Sequence, residues 1–361
     1  MKKTILTLSA MAVVLYSCEK EQSPESDALA AQEVQLDMSD FFVYTDDVES
    51  EDTSAGKGNA GKNCSTMKVL NQKLKSNPGL EQKMYNIEKH TRQYLAAKKG
   101  KGNGNGGGGN GGGGDTPVED NLGTITIPVI VHVLYNNASQ NISDAQIASQ
   151  IAVLNDDFNA TNNDINQVPS LFSPVVADSD IQFTLDQVIR KQTSQTSFGT
   201  SDAIKFDAQG GSNVVTPSTH LNIWVGNIGG GILGYAQFPG GSSSTDGVVV
   251  SPQYFGTTGT ATAPFDGGRT TTHEVGHWLN LRHIWGDGRC NRDDFVSDTP
   301  TSDRPNYGCP NFPTTHCRTT DMTMNYMDYV DDECMYMFSN GQKERMRALF
   351  VAGGAREAML P

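Results

Sequence analysis

His273-Glu274-Val275-Gly276-His277-Trp278-Leu279-Asn280-Leu281-Arg282-His283 gathers three imidazoles and a carboxylate into one short stretch. On a helix, residues four apart lie one above the other on the same face, so His273 and His277 reach a common point. His283 follows six residues later and shares that point only if the helix stops and the chain folds back. Asn280 is the expected breaker, because Asn tolerates the left-handed backbone that ends helices. Three imidazoles are the donor set of a catalytic zinc with a fourth position open. A carboxylate beside the first of them is placed to hold and deprotonate a water whose pKa the metal lowers to about 7. After Glu274 the next Glu is Glu333, which excludes zinc sites that take a nearby downstream Glu as third ligand.

The stretch resembles the H-E-x-x-H-x-x-G-x-x-H signature of metzincin proteases, with Asn280 where the signature has Gly. A second motif, Asn325-Tyr326-Met327-Asp328-Tyr329, is similar to the metzincin Met-turn. The resemblance implies that Met327 lies under the metal as an apolar floor and that Tyr329 moves to stabilise the oxyanion of the tetrahedral intermediate. Within the metzincins the likeness is to the pappalysin family and runs through most of residues 62–352. It is carried by Cys64-Ser65-Thr66-Met67, Ile127-Pro128-Val129-Ile130-Val131-His132, Leu154-Asn155-Asp156-Asp157-Phe158, Val296-Ser297-Asp298-Thr299-Pro300, Gly308-Cys309-Pro310 and Phe338-Ser339-Asn340-Gly341-Gln342, with Arg345-Met346. It implies a zinc endopeptidase, made as a latent precursor, that hydrolyses proteins or peptides through a water activated by Glu274. The alternative from another class is a zinc-bearing surface protein that binds without turnover. Its mark would be loss of Glu274 or a ligand, and His273, Glu274, His277 and His283 are all present.

Lys2 and Lys3 precede an apolar run from Ile5 to Tyr16, too short to span a bilayer and typical of an export signal. Leu15-Tyr16-Ser17-Cys18 resembles a bacterial lipoprotein box, so residues 1–18 are expected to end at a lipidated Cys18; simple secretion with cleavage near Ser17 is the alternative. An outer-membrane or cell-surface location follows from the lipid, the only contact with membrane expected of a monomer. Residues 19–61 are acidic and poor in apolar groups, and are expected to be a disordered tether. Residues 62–99 carry Met67, Leu70, Leu74, Leu80, Met84, Ile87 and Tyr94 at helical spacing, with Pro78 and Gly79 separating two short helices of a pro-segment. Residues 100–114 are almost wholly Gly and Asn and place a protease-accessible linker, 100–119, before a catalytic domain at 120–361.

Of six cysteines, Cys18 is assigned to lipid and Cys64 stands alone in the pro-segment. As a thiolate Cys64 would fill the open metal position, which resembles the cysteine-switch latency of metzincin zymogens; a buried inert thiol is the alternative. Cys290, Cys309, Cys317 and Cys334 allow three pairings. The family resemblance implies Cys290 with Cys317 and Cys309 with Cys334, bracing an irregular stretch from Gly286 to Asp321. That stretch holds Asp293, Asp294, Asp298, Thr299 and Asp303, oxygen donors of the kind calcium prefers. The resemblance makes Asp294, Asp298 and Thr299 the calcium candidates, and solvated turns are the plainer reading.

The catalytic part reads as α+β, with a mixed sheet and helices before the zinc helix and an irregular disulfide-braced part after it. Thr124–Tyr135 is a strand covered on both faces, in which His132 is structural. Ser143 with Gln146 forms a capping box, and Ile147, Ile151, Leu154 and Phe158 mark a helix face. Ile181, Phe183 and Leu185 alternate as a strand, as do Leu221, Ile223 and Val225. Leu233-Gly234-Tyr235-Ala236-Gln237 is an edge strand at the cleft to which a peptide can pair. A last helix covers 341–350. The formal charge of −14 argues against a nucleic-acid partner. Asp331, Asp332 and Glu333 follow the Met-turn, where metzincins build the pocket for the residue after the scissile bond, so a basic side chain is the expected preference there.

Overall fold

Ile125–Tyr135 forms β1, buried along almost its whole length, as its Ile and Val content requires. It is the second strand of a five-stranded sheet ordered β2-β1-β3-β5-β4, where β2 is Ile181–Gln192, β3 Leu221–Val225, β4 Gly234–Ala236 and β5 Val248–Val250. Every neighbouring pair is parallel except β4 with β5, so β4 is an antiparallel edge. The computed structural model describes residues 36–45, 64–101 and 120–360, which fall in one unit, Leu36–Pro361. The export stretch with Cys18, and the glycine tract from 102, lie outside the described residues. Among those described, no helix is long and apolar enough to cross a membrane.

α3, Asp144–Phe158, packs Ile147, Leu154 and Phe158 on the sheet. Each such side chain, fully buried, contributes about 1.5–3 kcal/mol. Ser143 accepts from the Gln146 N–H, but the reciprocal half of the expected capping box is missing. The Gln146 amide instead donates to the carbonyls of Pro252 and Phe255, holding the chain between β5 and the zinc helix. A full capping box forms at Ser339 and Gln342, starting α5, Asn340–Arg347. Leu185 is also not where alternation puts it: 41% of it is exposed. β2 bulges at Asp186, so that Leu185 faces Val129 while Gln187 faces Ile130, and the inward alternation is lost from there on.

The stretch read as a pro-segment holds two helices that pack on the rest of the chain. α1, Thr66–Ser76, and α2, Leu80–Lys101, are separated at Gly79, whose φ of 92° ends the connection; α2 is a long helix, not the short one expected. Met67, Leu70, Leu74, Leu80 and Met84 close around Val43 and Phe238. Residues 36–45 therefore depart from the expected disordered tether. Val43 is buried in that cluster and Asn71 holds Thr45 through three hydrogen bonds, partners too far along the chain for composition to reveal.

A buried ion pair fastens α2 to α5: Arg345 donates to Glu88 at 2.7 and 3.2 Å. Burial alone would raise the Glu88 carboxyl, but the guanidiniums of Arg345 and Arg92 overcome it and hold it at about 2. The folded value lies below the ordinary 4.5, so this attachment is fully present above pH 4.5 and is lost as pH falls from there through about 2, a change of about 3 kcal/mol. Glu88→Gln leaves Arg345 buried without its counter-charge and is expected to cost about 3–5 kcal/mol of docking. With the chain nicked in the glycine tract, gel filtration at neutral pH should show the fragment retained in wild type and released in the variant.

Between α4, Arg269–Trp278, and α5 the chain is irregular but for four two-residue strands and one short 3-10 turn. β6, Tyr307–Gly308, pairs with β9, Tyr329–Val330, and β7, Thr315–His316, with β8, Thr319–Thr320. Cys290 is bonded to Cys317 and Cys309 to Cys334, the pairing the resemblance implies.

Candidate active site

α4 is fixed at both ends before it presents any functional side chain. At its start the Asp332 carboxylate accepts from the N–H groups of Gly267 and Arg269, at 3.0 and 3.1 Å, and Arg269 reaches back to the Asp332 carbonyl. Asp332 thus holds the helix terminus through Oδ2 and is buried there. At its end Asn280 adopts φ 71°, its N–H bonds to the carbonyl of His277, and the Leu281 N–H bonds to the carbonyl of Gly276. That is a Schellman closure with Asn in the glycine position. It turns the chain back so that the Leu281 carbonyl meets His277 and His283 swings under α4.

The three rings converge through Nε2: His277 lies 3.2 Å from His273 and 3.1 Å from His283. Their Nδ1 atoms face the Tyr326 carbonyl at 2.7 Å, the Leu281 carbonyl at 2.8 Å and the Asp287 carboxylate. Carbonyl oxygens only accept, so Nδ1 carries the proton in His273 and His277 and Nε2 is left as a lone pair. Lone pairs pointed at one another inside a buried site repel unless a cation lies among them. Tetrahedral zinc at 2.0–2.1 Å from each nitrogen needs about 3.3 Å between nitrogens, close to the spacing found. The donor set therefore fits zinc.

Cys64 joins this group: its sulfur and the three imidazole donors all lie within 4.8 Å of one another, and all four residues are buried. The pro-segment reaches them by pairing with the edge strand, Cys64 bridging Gly234 in parallel and the Ser65 N–H bonding the Gly234 carbonyl at 3.0 Å. At the next residue, the Thr66 hydroxyl donates to Glu274 at 2.7 Å and accepts from the Ala236 N–H at 2.7 Å. The edge strand expected to receive a peptide is thus paired with the chain's own Cys64 and Ser65. Gly234 must lack a side chain here, since a Cβ would sit 2.9 Å from the Val249 carbonyl and 3.0 Å from Glu274 Cγ.

Met327 packs beneath α4, where a Cβ on Gly276 would come within 2.5 Å of its sulfur. Tyr329 stands against the His283 ring at 4.8 Å, and its hydroxyl bonds the Cys64 carbonyl at 3.4 Å. Two buried carboxylates shape this floor. Asp157 accepts from Tyr326 and Thr272, and burial raises it to about 6 against the opposing pull of Arg269. Asp328 accepts from Asn306 and from the Tyr329 N–H, and burial raises it to about 7. Above those values both ionise at a cost, so their contribution to stability declines as pH rises from near 4 toward neutrality.

His132 is structural, as expected, bonded to Ser212 and Asn222, with burial lowering it to about 4. Asp294 and Thr299 bond each other, while Asp298 turns both oxygens to the N-terminus of α5 through Ser339 and Gly341. Sequence reasoning missed Asp287, whose signal was its place four residues past His283. It also missed Thr66 and Phe238, whose ring lies 5.4 Å from that of His277.

Fold and site together define a metzincin-type metalloprotease. The family model for pregnancy-associated plasma protein-A, peptidase family M43, matches residues 216–351. Mature mirolysin of Tannerella forsythia, solved with a cleaved peptide, is 49% identical; the match covers 66% of this chain and 96% of that one, with a TM-score of 0.64. A promirolysin mutant from the same organism matches at 40% identity over 83% of this chain and 97% of its own, with a TM-score of 0.72. Extracellular metalloprotease 1 of Coccidioides posadasii is 33% identical over 63% of this chain and 77% of its own length. The chain belongs to the pappalysin family of metalloendopeptidases. It is made as a precursor.

Proposed function

We propose that the processed chain cleaves extended peptide segments with His273, His277 and His283 as zinc ligands, Glu274 as the proton carrier and Tyr329 as the oxyanion donor. When bound, zinc supplies a Lewis acid for the scissile carbonyl and lowers the pKa of the attacking water. A substrate pairs with β4 through backbone hydrogen bonds, in the place Cys64 and Ser65 hold in the precursor. Glu274 takes the water's proton as oxygen bonds to the carbonyl carbon, then delivers it to the amine nitrogen as the C–N bond breaks. The Tyr329 hydroxyl donates to the oxyanion. The carrying observation is the convergence of three Nε2 lone pairs beside Glu274 and an edge strand.

In the precursor, the Cys64 thiolate is the fourth ligand and cleavage within the linker, 100–119, releases it. Export, a lipid on Cys18 and a monomeric state complete the reading, in line with relatives named as extracellular. Asp294, Asp298 and Thr299 remain the proposed calcium ligands.

The test is a processed sample acting on an unfolded protein: a chelator abolishes cleavage and zinc restores it. A ligand held at a thousandfold excess over Kd contributes about 4 kcal/mol, so in a domain of this size chelation should lower Tm by roughly 10 °C. Unchanged cleavage in chelator defeats the reading.

A further inference from the structure

We propose that removal of the pro-segment uncovers a second peptide-binding site, built from Arg282, Arg292, Phe295 and Arg345, that takes an acidic, aromatic segment of the substrate. This rests on the endopeptidase reading above. In the precursor the site is filled by the chain's own Asp40-Phe41-Phe42. The Phe42 ring lies between two guanidiniums, 4.3 Å from Arg282 and 4.1 Å from Arg292, and its carbonyl accepts from Arg282 at 2.6 Å. Phe42 and Phe41 both face the Phe295 ring, at 5.2 and 6.2 Å. Arg345 and Arg282 approach that same ring at 5.6 and 5.2 Å.

Like charges gathered this closely need acidic partners, and most of these come from the pro-segment. Glu88 holds Arg345, while Asp40 and Glu88 hold Arg92, itself over Phe295 at 5.1 Å. On the catalytic side Asp287 faces Arg282 but already serves His283. Arg282 is 4% exposed, and one of its terminal nitrogens has no partner among the described residues. Phe295 is held at φ 66°, a strained conformation for a bulky residue. Once the pro-segment leaves, three guanidiniums and a strained aromatic ring are open to solvent without Glu88, next to the zinc ligand His283. Guanidiniums stack on aromatic faces and pair with carboxylates, so the ligand class is the one already bound: an extended peptide with Asp or Glu beside Phe or Tyr.

The experiment uses full-length chain, activated by a trace protease that cuts the glycine tract and separated from its pro-fragment. A labelled decapeptide matching Leu36–Thr45 is titrated by fluorescence anisotropy. Two quenched substrates share one scissile stretch, one extended by Asp-Phe-Phe and one by Ala-Ala-Ala. Wild type should bind the decapeptide, and kcat/KM for the acidic-aromatic substrate should exceed the other through KM. In Arg292→Glu, binding should weaken about tenfold or more and the ratio should fall to about one, the size expected for a lost desolvated cation–π contact and added charge repulsion. No binding to wild type, or equal binding to both proteins, overturns the proposal. Zinc-dependent cleavage of the alanine-tailed substrate reports separately on the endopeptidase reading, so either can fail alone.

Discussion

Processed Glu274→Ala should lose between about 10² and 10⁴ in kcat, the range a positioned general acid–base supplies, while keeping stoichiometric zinc. Glu274 follows His273 on α4 and lies against Gly234, which in the proposed reading puts it between metal and substrate strand. Thr66, which donates to Glu274, belongs to the stretch proposed to depart on processing, so the substitution is read in the processed chain. Elemental analysis, Tm and steady-state kinetics on one preparation separate this from misfolding. Full activity in a zinc-loaded variant would remove Glu274 from the reaction.

The second large effect is expected in the uncut precursor. In the proposed reading latency has two locks set two residues apart: the Cys64 sulfur among the three imidazoles and the Thr66 hydroxyl on Glu274. The second lock is a hydrogen bond to a carboxylate, worth about 1.5–3 kcal/mol. Thr66→Val keeps the shape and deletes that bond together with the one from the Ala236 N–H, so the open fraction of precursor, and its activity, should rise about tenfold to hundredfold or more. Cys64→Ala should also raise activity without cleavage, and the double variant should exceed either. The locks share one strand pairing, so the effects need not add. An uncut Thr66→Val precursor as silent as wild type, with Cys64→Ala active, would leave the thiol as sole lock.

What the sequence made legible follows from distance along the chain. The three histidines, Glu274 and the Asn280 turn lie within eleven residues, where helix geometry alone fixes their relation. β1 and the α3 face were equally readable, because burial imposes a local pattern. Thr66 meets Glu274 across 208 residues, and Glu88 meets Arg345 across 257, so no periodicity could announce either contact. Residues 36–45 carry apolar side chains, Leu36, Met38, Phe41, Phe42, Val43 and Tyr44, but sit in an acidic stretch, and the surface they meet, Arg282, Arg292 and Phe295, is encoded far downstream. Leu185 keeps register with Val129 but lies on the edge strand one residue before the bulge, where alternation no longer marks burial.

The two disulfides interleave: Cys309 lies inside the span closed by Cys290 and Cys317, and Cys317 inside that closed by Cys309 and Cys334. Any single break in the chain between 290 and 334 is therefore bridged by at least one covalent splint. An enzyme exposed to its own activity, and to that of its neighbours, can be nicked in this irregular region without shedding Met327 or Tyr329. Such wounded molecules would migrate as intact chains until a reductant is added.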